Sequence, residues 1–214
     1  NPLKAVEFFK KTGCDALAIS YGTMHGASKG KDVKLRKEIA IAIKECMMHE
    51  NLFGVLVSHG SSTVPKYIVD EINALGGNIQ NAYGISIDEL KAAIPCGIGK
   101  INVDTDIRLA VTRNMKEFFK NNPSKRDSAS IGGVYQLLEE KKDQFDPRAF
   151  LPPIMDTVMY GTIKDDDTAA LVEVIEKGVK EAIGTLIVEF GSFGKAPLVE
   201  QVSLEEMIER YKKM

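Results

Sequence analysis

The 214-residue chain is 44% hydrophobic and 27% charged, with a net charge of −2, an ordinary globular composition with enough length for one substantial core. The near-balanced charge gives no electrostatic case for nucleic acid or an acidic membrane surface, and no apolar run approaches the ~20 residues that would cross a bilayer. The three cysteines, Cys14, Cys46 and Cys96, form no C-x-x-C pair and read as reduced, buried thiols of a cytoplasmic protein.

The chain opens Asn1-Pro2 with no leader-like segment and enters a helix almost at once, so the expectation is a C-terminal portion of a longer polypeptide. Residues 2–12 carry a helical pattern stopped by Gly13. Asp15 to Ser20 reads as a buried strand leading into Tyr21-Gly-Thr-Met-His-Gly-Ala-Ser-Lys29. Residues 33–50 have helical spacing, with Ile39, Ile41, Ile43, Cys46 and Met47 as candidate core positions. Gly54-Val-Leu-Val-Ser-His-Gly-Ser-Ser62 then organises the rest. Its apolar run predicts a buried strand over 54–58 that breaks into a loop, and a helix follows from Pro65, tolerated in a first helical turn. Gly76-Gly77 stops that helix, and Ser86 with Glu89 has capping-box spacing for a helix to Ile94. A third strand is expected over 99–103 and a long helix over 106–120 bearing Leu109, Val111, Met115 and Phe118.

Strands near positions 16, 54 and 99, each followed by helix, make a βα repeat, slightly stretched against the ~30 residues per unit of a (β/α)₈ barrel. Three strands cannot close a barrel, which needs about eight. The reading is α/β: residues 1–120 as the last three βα units of a TIM (β/α)₈ barrel, and 121–214 as extra C-terminal helices packing on the same domain. In that extension residues 121–130 read as a loop, and a short helix is expected near 133–142. A long helix over 168–187 follows, started by Asp165-Asp-Asp167, with Leu171, Val174, Ile175, Val179 and Ile183 on one face. Gly191 to Gly194 reads as a loop and Ser203 to Lys213 as a capped terminal helix.

The chemistry collects at the strand ends. His25 and His59 each stand just past an apolar strand and just before a glycine. One such histidine is more often structural, but two on adjacent parallel strands can converge on a metal, for which a third ligand must come from elsewhere. His49, at a helix end, reads as a surface residue. Gly26 and Gly60 allow backbone N–H groups close to a ligand, and Ser61, Ser62 and Thr105 add hydroxyls, which together point to a phosphorylated ligand. Asn102 and Asp104 share one side of the strand, whereas Asp106 reads as the cap of the next helix. Lys29 and Arg108 are phosphate partners or, equally, members of surface ion pairs.

Gly22-Thr-Met-His-Gly-Ala-Ser-Lys29, His59-Gly-Ser-Ser-Thr-Val-Pro65 and Lys100-Ile-Asn-Val-Asp-Thr-Asp-Ile-Arg108 resemble the signatures of class II fructose-1,6-bisphosphate aldolases. Phe145-Asp-Pro-Arg148 and Val202-Ser-Leu-Glu-Glu206 resemble that family's C-terminal region. The resemblance implies a Zn²⁺ lyase that cleaves fructose 1,6-bisphosphate reversibly to dihydroxyacetone phosphate and glyceraldehyde 3-phosphate, a step of glycolysis and gluconeogenesis. It matches His25 and His59 to two zinc ligands, and Gly26, Lys29, Gly60 and Ser62 to the surroundings of one phosphate. Asn102, Asp104, Thr105 and Arg108 match further substrate contacts, and Arg148 an arginine offered to a neighbouring subunit's substrate. It also implies a monovalent cation (Na⁺ or K⁺) beside the phosphate and a homodimer or homotetramer.

The family's third zinc histidine and proton-abstracting aspartate belong to a His-x-Asp-His-type segment, expected upstream of Asn1, so the 214 residues are not expected to catalyse alone. Residues 122–144 read as an insertion relative to the family, and the stretch between Asp156 and Gly191 as longer than usual. A tagatose-bisphosphate aldolase shares the histidine motifs, although the Asn-Val-Asp-Thr-Asp string with Arg108 favours fructose. An inactive interaction module is the reading from a different class.

Overall fold

Where the apolar runs are short and end in Gly or Ser, strands form, and where apolar residues recur every three or four positions, helices cover them. The computed structural model describes residues 1–25, 30 and 32–213. Three strands, β1 (Ala16–Ala18), β2 (Val55–Ser58) and β3 (Ile98–Ile101), pair in parallel in the order β1-β2-β3. Helix α1 (Pro2–Thr12) precedes them, capped by Asn1 and ended by Gly13 at φ 62°. Helices α2 (Lys37–His49), α3 (Lys66–Ala74) and α4 (Ile87–Ala93) fill the crossovers, and α5 (Thr105–Asn121) follows β3. This is the α/β architecture of a partial (β/α)₈ barrel, extended by α6 (Gly132–Glu140), α7 (Met155–Tyr160), α8 (Asp166–Glu189) and α9 (Leu204–Lys212).

The sheet is well buried on one face and only in part, at Val57 of β2, on the other. Ile19, Leu56 and Ile98 pack under α1, α2 and α4 with Phe9, Ile43, Met47 and Leu90. On the other face Ala16 and Ala18 are exposed and Val55 is 40% exposed. The expectation of a fully buried first strand is therefore corrected: β1 is three residues long, with β2 on one side and no described strand on the other. Two further apolar clusters lie beyond the sheet. One joins α3 to Leu109 and Ala110 of α5. The other joins Val111, Met115 and Phe119 of α5 to Val134 and Leu138 of α6, to Phe150 in the segment before α7, and to Leu171 of α8. Gly178 lets α8 lie directly on α5, since a Cβ there would stand 3.0 Å from the Ala110 and Val111 backbone.

Several local expectations shift for identifiable reasons. Residues 33–36 are not helical, because the Tyr21 carbonyl accepts the Arg36 N–H and the Glu89 carboxylate accepts the Leu35 N–H. Glu89 thereby makes only half of the expected capping box: Ser86 Oγ accepts the Glu89 N–H, but the Glu89 carboxylate reaches Leu35, Lys34 and Lys37 instead. Ile41 is 41% exposed while Ala40, Ile43 and Met47 are buried, since isoleucines two apart cannot share one helical face. Phe119, not Phe118, is the fully buried aromatic of α5, and Ile183 of α8 is 40% exposed. The three thiols are free and half-buried. Among the described residues no helix is long and apolar enough to cross a membrane.

Candidate functional site

Parallel strands bring the loops after β1, β2 and β3 to one edge of the sheet, where ligand sites of α/β folds lie. The loop after β1 turns at Gly22 (φ 109°), where a Cβ would stand 3.1 Å from the Lys34 carbonyl, and its base is closed by the Arg36 N–H on the Tyr21 carbonyl at 2.7 Å. His25 stands in this loop, and His59 directly follows the last residue of β2. Their rings meet: Nδ1 of His59 is 2.9 Å from Nε2 of His25, with centroids 4.6 Å apart and planes tilted by 52°. Both residues are exposed.

Gly60 makes this approach possible. It adopts φ 69°, and a Cβ there would lie 3.1–3.2 Å from the backbone of Met24 and His25. The two histidine loops thus touch backbone to backbone. For bonds of about 2.0–2.1 Å, two imidazole nitrogens on one tetrahedral zinc lie roughly 3.3 Å apart. The pair at 2.9 Å is in direct hydrogen-bond contact, and parting by about 0.4 Å would give the spacing of two positions of such a site. Among the described residues no group of three or more His, Cys, Asp or Glu is placed to complete it.

The loops after β2 and β3 hold each other through buried polar contacts. Ser62 Oγ accepts the N–H groups of Asp104 at 3.1 Å and Thr105 at 3.0 Å. In return the Asp106 carboxylate accepts the Thr63 N–H at 2.9 Å and the Thr63 hydroxyl. Asp106 does not cap its own helix, as the sequence suggests, but the loop that leads into α3. Burial pushes its carboxyl above the ordinary range, opposed by the hydrogen bonds from Thr63 and Val64. Val64 lies at φ 51°, a costly conformation for a β-branched residue, held by contacts on both sides.

Together these loops enclose a polar cleft of about 420 Å³ lined by His25, His59, Gly60, Ser62, Lys100, Asn102, Asp104 and Thr105. A larger cleft of about 760 Å³ between α3 and α8 contains neither histidine. Of the residues singled out in the sequence, Ser61 is placed elsewhere: it is fully buried, with its hydroxyl on Ser58 at 2.6 Å, and does not line the cleft. Gly26 and Lys29 lie outside the described residues.

Arg108 lies behind Asp104, donating from Nε at 2.8 Å, and also pairs with Asp146. Arg148 donates its backbone N–H to Asp146 at 3.0 Å and its guanidinium at 2.6 Å. Arg148, its backbone N–H and Arg108 hold the Asp146 carboxyl below its ordinary range. Both arginines are therefore ion-paired within the chain, and Asp146, quoted in the sequence only as part of the Phe145–Arg148 motif, holds them together. Lys100, which opens the motif ending at Arg108, has no role assigned to it from the sequence. It faces the cleft and donates to Asn102 Oδ1, and its position two residues before Asn102 was the available signal.

Known proteins resemble this chain over most or all of its length. The family model described as fructose-bisphosphate aldolase class-II matches residues 1–195. The fructose-bisphosphate aldolase of Giardia intestinalis is 35% identical over 213 residues, covering 99% of this chain and 53% of the relative. Those of Xanthobacter flavus and Nostoc commune are each 32% identical, covering 99% and 100% of this chain and 48% of each relative. The chain spans about half the length of the curated relatives it matches. With its paired histidines and clamped strand-end loops inside a match that runs over most of its length, the chain belongs to the class-II fructose-bisphosphate aldolase family.

Proposed function

We propose that these residues form the metal- and phosphate-binding part of an enzyme that cleaves fructose 1,6-bisphosphate to dihydroxyacetone phosphate and glyceraldehyde 3-phosphate. The observation that supports this most directly is the 2.9 Å approach of two imidazoles beside a polar cleft at the strand ends. His25 and His59 would hold a zinc ion, which when bound supplies Lewis-acid polarisation of a ketone oxygen. The backbone at Gly60 and the hydroxyl of Thr105 take a phosphate, with Lys100 supplying positive charge. Asn102 and Asp104 orient substrate hydroxyls at the rim. Phosphate binding, remote from the bond that breaks, holds the reacting carbons in place.

Asp104, the carboxylate lining the cleft, is exposed and paired with Arg108. It serves orientation in this reading, and the proton-abstracting carboxylate and third zinc ligand lie outside these 214 residues. The chain then binds zinc and, in its presence, dihydroxyacetone phosphate, without turning over the bisphosphate. Calorimetric titration with Zn²⁺, then with dihydroxyacetone phosphate, tests this alongside a coupled cleavage assay. Absence of zinc binding overturns the site assignment, and measurable cleavage by the chain alone overturns the division of roles.

A further inference from the structure

Beneath the two histidines lies a chain of buried hydroxyls. Tyr21 is 1% exposed, Ser58 and Ser61 are 0% exposed, and the Tyr21 phenol shares a hydrogen bond with Ser58 Oγ, which shares another with Ser61 Oγ at 2.6 Å. An aliphatic residue at position 58 would continue the apolar pattern of β2, so a serine there needs a buried partner, and Tyr21 supplies it. The same two serines reach the third strand through their backbones. The Asn102 N–H donates to the Ser58 carbonyl at 2.9 Å, and the Ser61 N–H to the Asn102 carbonyl at 3.2 Å.

Tyr21 is fixed at three points. Its carbonyl accepts the Arg36 N–H that closes the base of the His25 loop, its ring is buried in the apolar cluster that includes Ile19, Leu35 and Leu56, and its hydroxyl reaches the residue immediately before His59. We propose that Tyr21 is a positioning residue: through Ser58 it sets the separation and tilt of the His25 and His59 imidazoles, and with them the affinity and geometry of the metal site. This rests on the reading of those histidines as zinc ligands. The effect is carried by the hydroxyl rather than by the ring, because phenylalanine would keep the packing and leave Ser58 to Ser61 alone.

Co²⁺ as a spectroscopic probe, with Zn²⁺ competition, tests this on the 214-residue chain and its Tyr21→Phe, Ser58→Ala, double and His59→Ala variants. Tyr21→Phe should weaken Co²⁺ binding about tenfold, in the range for groups that orient metal ligands, and shift the visible absorption band at saturation while the melting temperature moves little. The double variant should bind no more weakly than the weaker single one, since both changes remove the same Tyr21–Ser58 contact. A Tyr21→Phe chain with wild-type affinity and an unchanged band overturns the positioning role alone. If that variant fails to fold, Ser58→Ala carries the same reading and the same two outcomes. A wild-type chain that does not bind Co²⁺, or a His59→Ala chain that binds as well as wild type, overturns the zinc assignment as well.

Discussion

The strand-end loops and the α5–α8 layer are held by different physics. Between the loops after β2 and β3 the contacts are directional and few: Ser62 Oγ on two N–H groups, Asp106 on Thr63. Between α5, α6 and α8 the contacts are apolar and many, with Met115, Phe119, Val134, Leu138 and Leu171 nearly or fully buried. Burial stabilises without fixing a particular angle, whereas a buried hydrogen bond costs free energy unless its geometry is met. The helical layer therefore supplies stability and the loop clamps supply position. Variants in the two regions should separate these quantities.

The largest loss is expected in the helical layer. Phe119, 1% exposed, stacks edge-on with Phe118 at a centroid distance of 5.3 Å and lies 5.4 Å from Tyr135. Phe119→Ala should cost about 3–5 kcal/mol of unfolding free energy, measured by urea denaturation, while the metal affinity of the molecules still folded stays near wild type. Asp106→Ala should cost less, about 1–3 kcal/mol, but weaken inorganic phosphate binding in a calorimetric titration, because the loop through Thr63 and Val64 loses its anchor. Asp106→Asn, which keeps an acceptor, should recover most of both. Equal losses of stability and ligand affinity in the Phe119 and Asp106 variants would erase the distinction.

The smallest effect is a pH dependence. The Glu89 carboxyl is lowered from 4.5 to about 2, first by Lys37, then by the Leu35 N–H and Lys34. A folded-state pKa below the unfolded one stabilises above the unfolded pKa, and the contribution disappears as pH falls through the folded pKa. The stability margin of wild type over Glu89→Gln should be full above pH 4.5 and gone near pH 2. Solvent screening and the exposed Lys34 limit it to about 1 kcal/mol. Thermal melts from pH 2 to 7 check this, and a margin that persists at the acid end would show that packing, not charge, joins α4 to the segment before α2.

How far the chain could be read beforehand follows the same division. The strand–helix alternation was legible because hydrophobic period is a local property: β2, α4 and α9 lie within a residue or two of expectation. The paired histidines were legible because both follow a strand of the same sheet. Contacts between distant segments were not. Nothing local tells Asp106 to cap the 63–65 loop instead of α5, or Glu89 to hold Leu35. Nor does anything local mark Gly178 as the place where α8 meets the α5 backbone. The solvent-facing side of β1 was misjudged for the same reason, since burial depends on neighbours that a strand's own residues do not encode.

Gly60 has one more consequence. Because its bare Cα rests against the main chain at Met24 and His25, no side chain cushions the join between the two loops. Any ion seated on one imidazole would therefore damp the motion of the other loop as well. Even alanine at this position would act as a wedge, parting the two rings before a ligand arrived.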